Sequence, residues 1–129
     1  MADYSIIQNE SKQIISRYGD GGFVVNGKDY NSAIFICSSG IFSFPTNDLE
    51  SILSDKFDFI LENSNVDEFG VIMLFGMGTH IKPISEKYLY KFKATGISLE
   101  FMNTGAACRT LNVLQAEDRA VSALLIPVT

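Results

Sequence analysis

Apolar runs alternate with segments of helical spacing from Gly70 to the end of the chain. Residues 71–75 are continuously apolar, which is typical of a strand buried on both faces of a sheet. The segments that follow are a helix at about 85–93, a strand at 97–102, a helix that begins near 104–106 and a strand at 120–126. Strands and helices in this order form parallel pairs with right-handed crossovers. The sequence therefore predicts a βαβαβ unit.

Short apolar segments separated by turn residues make up the first part of the chain. Asn26-Gly27 supplies the two positive φ angles of a tight hairpin. A helix is predicted next, over about residues 48–62, with Thr46 or Asn47 as its cap. The strands predicted before this helix lie at 14–18, 23–25, 28–30, 33–37 and 41–44.

These patterns predict a single domain over residues 1–129. It divides into an N-terminal lead-in at 1–11, an antiparallel β meander at 12–45 and an α/β part at 46–129. The predicted fold class is α/β, with a mixed sheet and an added antiparallel β layer.

Charge and hydropathy exclude several classes of protein. The net charge of −5 argues against a nucleic-acid binder, which needs a basic surface. The longest apolar run is too short for a transmembrane segment. The N-terminal residues have neither the basic start and apolar core of a secretory signal nor the Arg-rich composition of a transit peptide, so we expect a cytoplasmic protein.

Two polar turns follow predicted parallel strands and suggest a shared crevice. One contains Gly76, Gly78 and Thr79, and the other begins a helix. Ligands of open α/β sheets bind beyond the carboxyl ends of strands, and a helix N-terminus offers unpaired N–H groups to an anion. The sequence therefore predicts a ligand site for a carboxylate or a phosphate-like group. Its helix residues are Asn103, Thr104, Gly105, Arg109 and Asn112.

A structural role explains the same residues equally well at this stage. Asn103 or Thr104 is then a helix cap, and Ala107 allows close packing on the sheet. The two glycines at 76 and 78 lack the third glycine of a dinucleotide fingerprint, and no phosphate-binding lysine of the Walker kind follows them. Glu117 lies two turns after Arg109, where it is placed to hold the guanidinium.

Cys108 and His80 are the one nucleophile and base pair to consider. A thiol near a helix start beside Arg109 has a lowered pKa if it is accessible, but Cys108 lies among inward-facing residues. We therefore expect a buried thiol and no catalytic residues. Cys37 and Cys108 are too few for a zinc site, so no metal or cofactor is predicted, and we expect free thiols.

Several apolar residues fit either a core or a surface that contacts another protein. Methionine and aromatic residues are enriched in interfaces, although most such residues are core. The residues concerned are Ile60, Phe69, Met73 and Met77.

Three stretches of the chain carry a family resemblance. They are GGFVVNGKDYNSAIFI, VIMLFGMGTHIKP and MNTGAACRTLNVLQAEDRAVSALLIPV. Over about residues 22–128 the sequence resembles the family that contains the mitochondrial complex I assembly factor 3 and adipogenesis-associated proteins, and it is similar to the bacterial members.

The resemblance implies a three-layer α/β fold with a central mixed five-stranded sheet of order 2-1-5-3-4 and a small antiparallel β-hairpin layer. It implies no established enzymatic activity, and it points to respiratory-complex assembly proteins as partners. The family motif adds Thr110 to the residues of the predicted pocket, which also include Gly76 and Gly78.

Two functions are expected from these observations together. The first is a non-catalytic protein that acts as an assembly or interaction factor for a respiratory NADH dehydrogenase. The alternative is a protein or enzyme that binds a small anionic ligand, in a pocket at the strand ends around Gly78 and residues 103–112.

Overall fold

The computed structural model describes residues 12–129. Within them, the predicted alternation of strands and helices from residue 70 onward is present, and each element differs from its predicted bounds by no more than two residues. The strands are β1 (Ile15–Gly19), β2 (Gly22–Val25), β3 (Lys28–Tyr30), β4 (Ile34–Cys37), β5 (Gly40–Ser43), β6 (Val71–Met77), β7 (Ile97–Met102) and β8 (Val121–Ile126). The helices are α1 (Leu49–Glu62), α2 (Glu86–Ala94) and α3 (Thr104–Ala116). The predicted lead-in at 1–11 lies outside the described residues.

A mixed five-stranded sheet forms the centre of the fold, in the order β5-β4-β8-β6-β7. β6 runs parallel to β7 and to β8, whereas β4 runs antiparallel to β5 and to β8. Numbered along the chain, these five strands have the order 2-1-5-3-4, which confirms the fold class and the strand order that the resemblance implied.

The strands of residues 12–45 are divided between two sheets. β1, β2 and β3 form a separate antiparallel sheet, and β4 and β5 join the central one. The consecutive hairpins therefore do not form one continuous meander. The reason lies in burial, because every residue of β4 is buried whereas β3 is largely exposed. Only a position inside the central sheet covers both faces of β4.

Two apolar cores lie on the two faces of the central sheet and define three layers. α1 and α2 cover one face, where Phe57 and Phe92 pack against each other with ring centroids 4.9 Å apart. α3 and the small sheet cover the other face, where Leu111 packs with Phe23 and Leu74. The carboxyl ends of β6, β7 and β8 meet at one edge of these layers.

The cap of α1 differs from the prediction. Asp48 caps the helix by accepting a hydrogen bond from the Ser51 N–H at 3.2 Å. Asn47 instead accepts a bond from the Ala33 N–H at 2.8 Å, because it has to satisfy the start of β4. Thr46 accepts from the N–H of Asp48.

Candidate functional site at the strand ends

The two Gly-bearing turns meet at the carboxyl ends of the parallel strands. The Gly78 N–H donates to the Thr104 hydroxyl at 2.8 Å, and the Thr104 N–H donates back to the Gly78 carbonyl at 2.9 Å. The same hydroxyl donates to the Ile126 carbonyl at 2.6 Å. Thr104 is fully buried. It therefore joins β6, β8 and the start of α3 at a single point.

Gly76 makes close packing possible at the same junction. A Cβ at this position would lie 3.0 Å from the Cβ of Ala107 and 3.2 Å from the Cα of Thr104. It would also lie 2.9 Å from Cδ2 of Leu125, so a larger residue would force the neighbouring atoms to shift, and glycine allows α3 to approach β6 closely. Gly76 is buried between strand and helix and serves packing.

The N-terminus of α3 has most of its amide donors engaged within the protein. Asn103 caps the helix by accepting from the Ala106 N–H at 2.9 Å. The Ala107 N–H donates to the Asn103 carbonyl, and the Thr104 N–H is bonded to Gly78. The donors that the predicted anion site needs are thus largely used by the fold itself.

Gly105 and Arg109 lie on the side of α3 that faces β1, and both are next to Tyr18. Arg109 donates from Nη1 to the Tyr18 hydroxyl at 3.2 Å. A Cβ at Gly105 would lie 2.5 Å from the same hydroxyl oxygen, so glycine leaves the space that the phenol occupies. Tyr18 is 43% exposed and Arg109 is also exposed. The result is an exposed Tyr–Arg pair supported by a strand and a helix.

Asn112 binds the backbone of β1 through both the oxygen and the nitrogen of its side-chain amide. Its Oδ1 accepts from the Ile15 N–H at 3.0 Å, and its Nδ2 donates to the Ile15 carbonyl at 2.8 Å. Gln115 makes the same pair of bonds to the backbone of Gln13, each at 2.8 Å. Two amide side chains of α3 therefore hold β1 and the residues just before it.

The sequence reasoning missed Tyr18, Gln13 and Gln115. The spacing of Asn112 and Gln115, three residues apart on one helix face, was a signal that both amides bind the same neighbouring element. No comparable signal marks Tyr18, which lies 91 positions from Arg109 in the chain.

Thr79 lines an open cavity of about 310 Å³, and Arg109 is not among the residues that line it. Its hydroxyl is 2.9 Å from Nδ1 of His80. Gly78, His80 and Lys82 line the same cavity, together with the last three residues of the chain. The structure thus divides the predicted site into a buried junction, a face toward β1 and this strand-end cavity.

Thr110 belongs to none of these three groups. It is half-buried on α3. Four residues after Ala106 and three before Val113, it shares a helix face with them, on the side of α3 away from Asn112. Val113 is 56% exposed, so this face is only partly covered.

Cys108 is buried between α3 and the two sheets, as expected. Burial raises the pKa of its thiol to about 12, although the positive charge of Arg109 acts in the opposite direction. The thiol is therefore protonated at neutral pH and is a poor nucleophile. Cys37 is also free and buried, in the other core.

The apolar residues that fitted either a core or an interface fall into two groups, buried and exposed. Ile60, Met73 and Met77 are core, whereas Phe69 is 90% exposed. Within residues 12–129 the one ion pair joins Lys12 and Asp118, so the suggested contact between Glu117 and Arg109 is not made.

The described part of the chain has neither a metal-binding cluster nor a membrane-spanning helix. It brings together no cluster of three or more His, Cys, Asp or Glu side chains suited to a metal ion. None of its helices has the length and hydrophobicity that crossing a membrane requires.

Relatives of known sequence support the resemblance. Human NADH dehydrogenase (ubiquinone) 1 alpha subcomplex assembly factor 3 is 27% identical over 126 residues, which are 95% of this chain and 66% of the human protein. The chain thus spans about two thirds of that relative. The 13 kDa major membrane protein of Francisella tularensis is 27% identical over 111 residues, covering 84% of this chain and 86% of that protein.

Solved structures show the same fold. An outer membrane protein from Bartonella henselae superposes with a TM-score of 0.78 at 34% identity, over 92% of this chain and 98% of that one. A Mth938-like domain from Bordetella pertussis has a TM-score of 0.73 at 24% identity, over 89% and 85% of the two chains. The second likeness concerns the fold alone.

The family described as "Protein of unknown function (DUF498/DUF598)" matches residues 15–126. The match extends from the first residue of β1 to the last residue of β8. It includes the strand-end junction and the whole of α3. The chain belongs to this family.

Proposed function

We propose that the chain is a non-catalytic interaction protein that assists the assembly of a respiratory NADH dehydrogenase. The observation that carries the proposal is the 27% identity to complex I assembly factor 3 over 95% of this chain. The 126 aligned residues make up nearly the whole chain, and this supports a contact surface on the domain itself.

The chemistry of the motif supports a role without catalysis. The hydroxyl of Thr104 and the amide of Asn112 both make hydrogen bonds within the protein. Catalytic polar groups usually face a cavity with perturbed pKa values that suit proton transfer at neutral pH. The pKa of Cys108 is instead raised, which keeps the thiol protonated and unsuited to catalysis at neutral pH.

Arg109, with Tyr18 beside it, is the part of the candidate site best placed to contact a partner. Tyrosine and arginine are enriched among residues that dominate binding energy. The guanidinium of Arg109 has no carboxylate partner among residues 12–129. Tyr18 limits the conformations of the arginine through the bond at 3.2 Å. A partner with an acidic side chain and an apolar contact for the phenol fits this surface.

Affinity purification from the native cell under mild detergent tests the assembly role. We expect the tagged protein to recover dehydrogenase subunits or other assembly proteins, as identified by mass spectrometry. Arg109→Ala should reduce that recovery, whereas Arg119→Ala removes an exposed arginine just beyond the C-terminal end of α3 and should not. Failure of the wild-type protein to recover any such protein would contradict the assembly role. Equal recovery by all three would contradict only the placement of the contact.

Arg109 also supports a second function, the binding of a small anionic ligand. Its exposed guanidinium lacks a carboxylate partner in residues 12–129, and arginine binds carboxylate and phosphate groups well. A thermal-shift screen of anionic metabolites tests this function. A metabolite that binds at Arg109 should raise the Tm of the wild-type protein and of Arg119→Ala, but not of Arg109→Ala. A ligand that stabilises all three proteins equally would argue against this site.

A further inference from the structure

β7 is an edge of the central sheet that no strand within residues 12–129 covers. It has six residues, Ile97–Met102, and each from Ile97 to Met102 is in register with a β6 residue, without a bulge. Natural edge strands are usually protected by proline, lysine, a bulge or a covering segment. β7 has none of the first three, and its single charge is Glu100. Such an edge is open to pairing with another strand.

The two faces of β7 differ in character. Ile97, Leu99 and Phe101 pack with the core beneath α1 and α2. Ser98 and Glu100 point to the opposite face, where both are exposed. The strand therefore carries an apolar row on one face and a polar row on the other.

α2 packs on β7, and one flank of this helix carries opposite charges at its two ends. Its Lys91 ammonium lies over the ring of Phe57, so this side of α2 faces α1. Glu86 and Lys93 lie on the other side of the helix, seven residues apart, with half-buried Leu89 between them. This flank of α2 faces away from α1, and the helix itself packs on β7.

We propose that the β7 edge is the interface of a homodimer in which β7 pairs antiparallel with β7 of a second copy. The two-fold axis passes beside Leu99, so the two five-stranded sheets become one continuous sheet. The proposal concerns how the protein associates with itself and does not depend on its role in assembly.

The register centred on Leu99 makes the edge complementary to itself. Leu99 lies opposite the partner's Leu99, and Ile97 lies opposite the partner's Phe101. Ser98 lies opposite the partner's Glu100, so its hydroxyl donates to the carboxylate. Moving the axis by one residue, to Glu100, places two carboxylates directly opposite each other, which is unfavourable. Of these two registers, the sequence of β7 favours the one centred on Leu99.

The same two-fold axis brings the helix flanks together with matching charge. α2 and its copy run antiparallel above the joined strands. Glu86 of one subunit then approaches the partner's Lys93, and the reverse contact forms as well. Charge complementarity on the helices and in the strands therefore favours the same arrangement, and this points to a second copy as the occupant of the edge.

Light scattering coupled to size-exclusion chromatography measures the outcome directly. At about 100 μM we expect twice the chain mass of 14.2 kDa. Ser98→Glu places a second carboxylate opposite Glu100 at two symmetric positions and should weaken the dimer roughly tenfold or more. Ser43→Glu makes the same change on β5, at the other edge of the sheet, and should leave the dimer intact.

Ser98→Lys supplies the opposite test, because a lysine facing the partner's Glu100 should strengthen the dimer. Ser98 is exposed, so each variant is expected to keep the far-UV circular dichroism spectrum of the wild type. A wild-type protein that is monomeric at 100 μM overturns the proposal. So does a dimer that Ser98→Glu leaves unchanged, or one that Ser43→Glu disrupts equally.

Discussion

Replacing Thr104 with valine removes one hydroxyl and keeps the shape of the side chain. That hydroxyl accepts from the Gly78 N–H at 2.8 Å and donates to the Ile126 carbonyl at 2.6 Å. Both backbone groups lose their partner in the variant, at a residue that is fully buried. Each unsatisfied buried group costs about 1–3 kcal/mol. Because Gly78 and Ile126 are themselves only half-buried, we expect Thr104→Val to lower the free energy of unfolding by about 2–4 kcal/mol in total.

Urea unfolding followed by far-UV circular dichroism measures this loss. Thr110→Val is the matched control, since it makes the same change six residues later on α3 at a half-buried position, and we expect a change within about 0.5 kcal/mol. Thr104→Ser keeps the hydroxyl and loses one buried methyl group, which costs about 1 kcal/mol. The urea m-value should stay the same in all three variants, because the surface exposed on unfolding is unchanged.

The order of the three variants decides whether the reasoning holds. If Thr104→Val and Thr110→Val have the same unfolding free energy within about 0.5 kcal/mol, the hydroxyl does not hold the strand ends together. If Thr104→Ser is as unstable as Thr104→Val, the loss comes from packing and the hydrogen bonds contribute little.

Three further predictions concern α3 and the residues that it packs against. Gly76→Ala places a Cβ 3.0 Å from that of Ala107 and should lower the unfolding free energy, measured in urea, by about 1–3 kcal/mol. Asn112→Ala leaves the Ile15 N–H without its acceptor, so hydrogen exchange at that amide should speed up at least tenfold. Because the folded pKa of Cys108 is raised to about 12 from 9.0, its contribution to stability is complete below pH 9 and is lost as the pH rises toward 12. The fall in unfolding free energy above pH 9 should therefore be smaller in Cys108→Ala.

Local patterns in the sequence were sufficient for most of the fold. Asn26 and Gly27 have φ angles of 51° and 79°, as a tight hairpin of this kind requires. The apolar run at 71–75 became the strand between β7 and β8, because only a central position covers both of its faces. Such features follow from neighbouring residues, which is why the pattern alone predicts them.

The division of the candidate site depended on contacts between distant residues. Ile15 and Asn112 are 97 positions apart, and Tyr18 and Arg109 are 91 apart. No local pattern tells that β1 packs along α3. The same limit explains the cap of α1, where a contact between Asn47 and distant Ala33 left Asp48 as the capping residue.

The hydrogen bonds of α3 explain why a helix with several polar motif residues need not form an active site. Buried polar groups must be hydrogen-bonded, and a helix that packs on a sheet and on a separate small sheet meets backbone groups from both. Thr104 forms hydrogen bonds with backbone groups at the strand ends, and Asn112 forms them with the backbone of β1. These polar residues are therefore required for α3 to connect the central sheet with the small sheet. Arg109 is different, because it is exposed and has no carboxylate partner among residues 12–129, and its substitution should therefore alter binding more than stability.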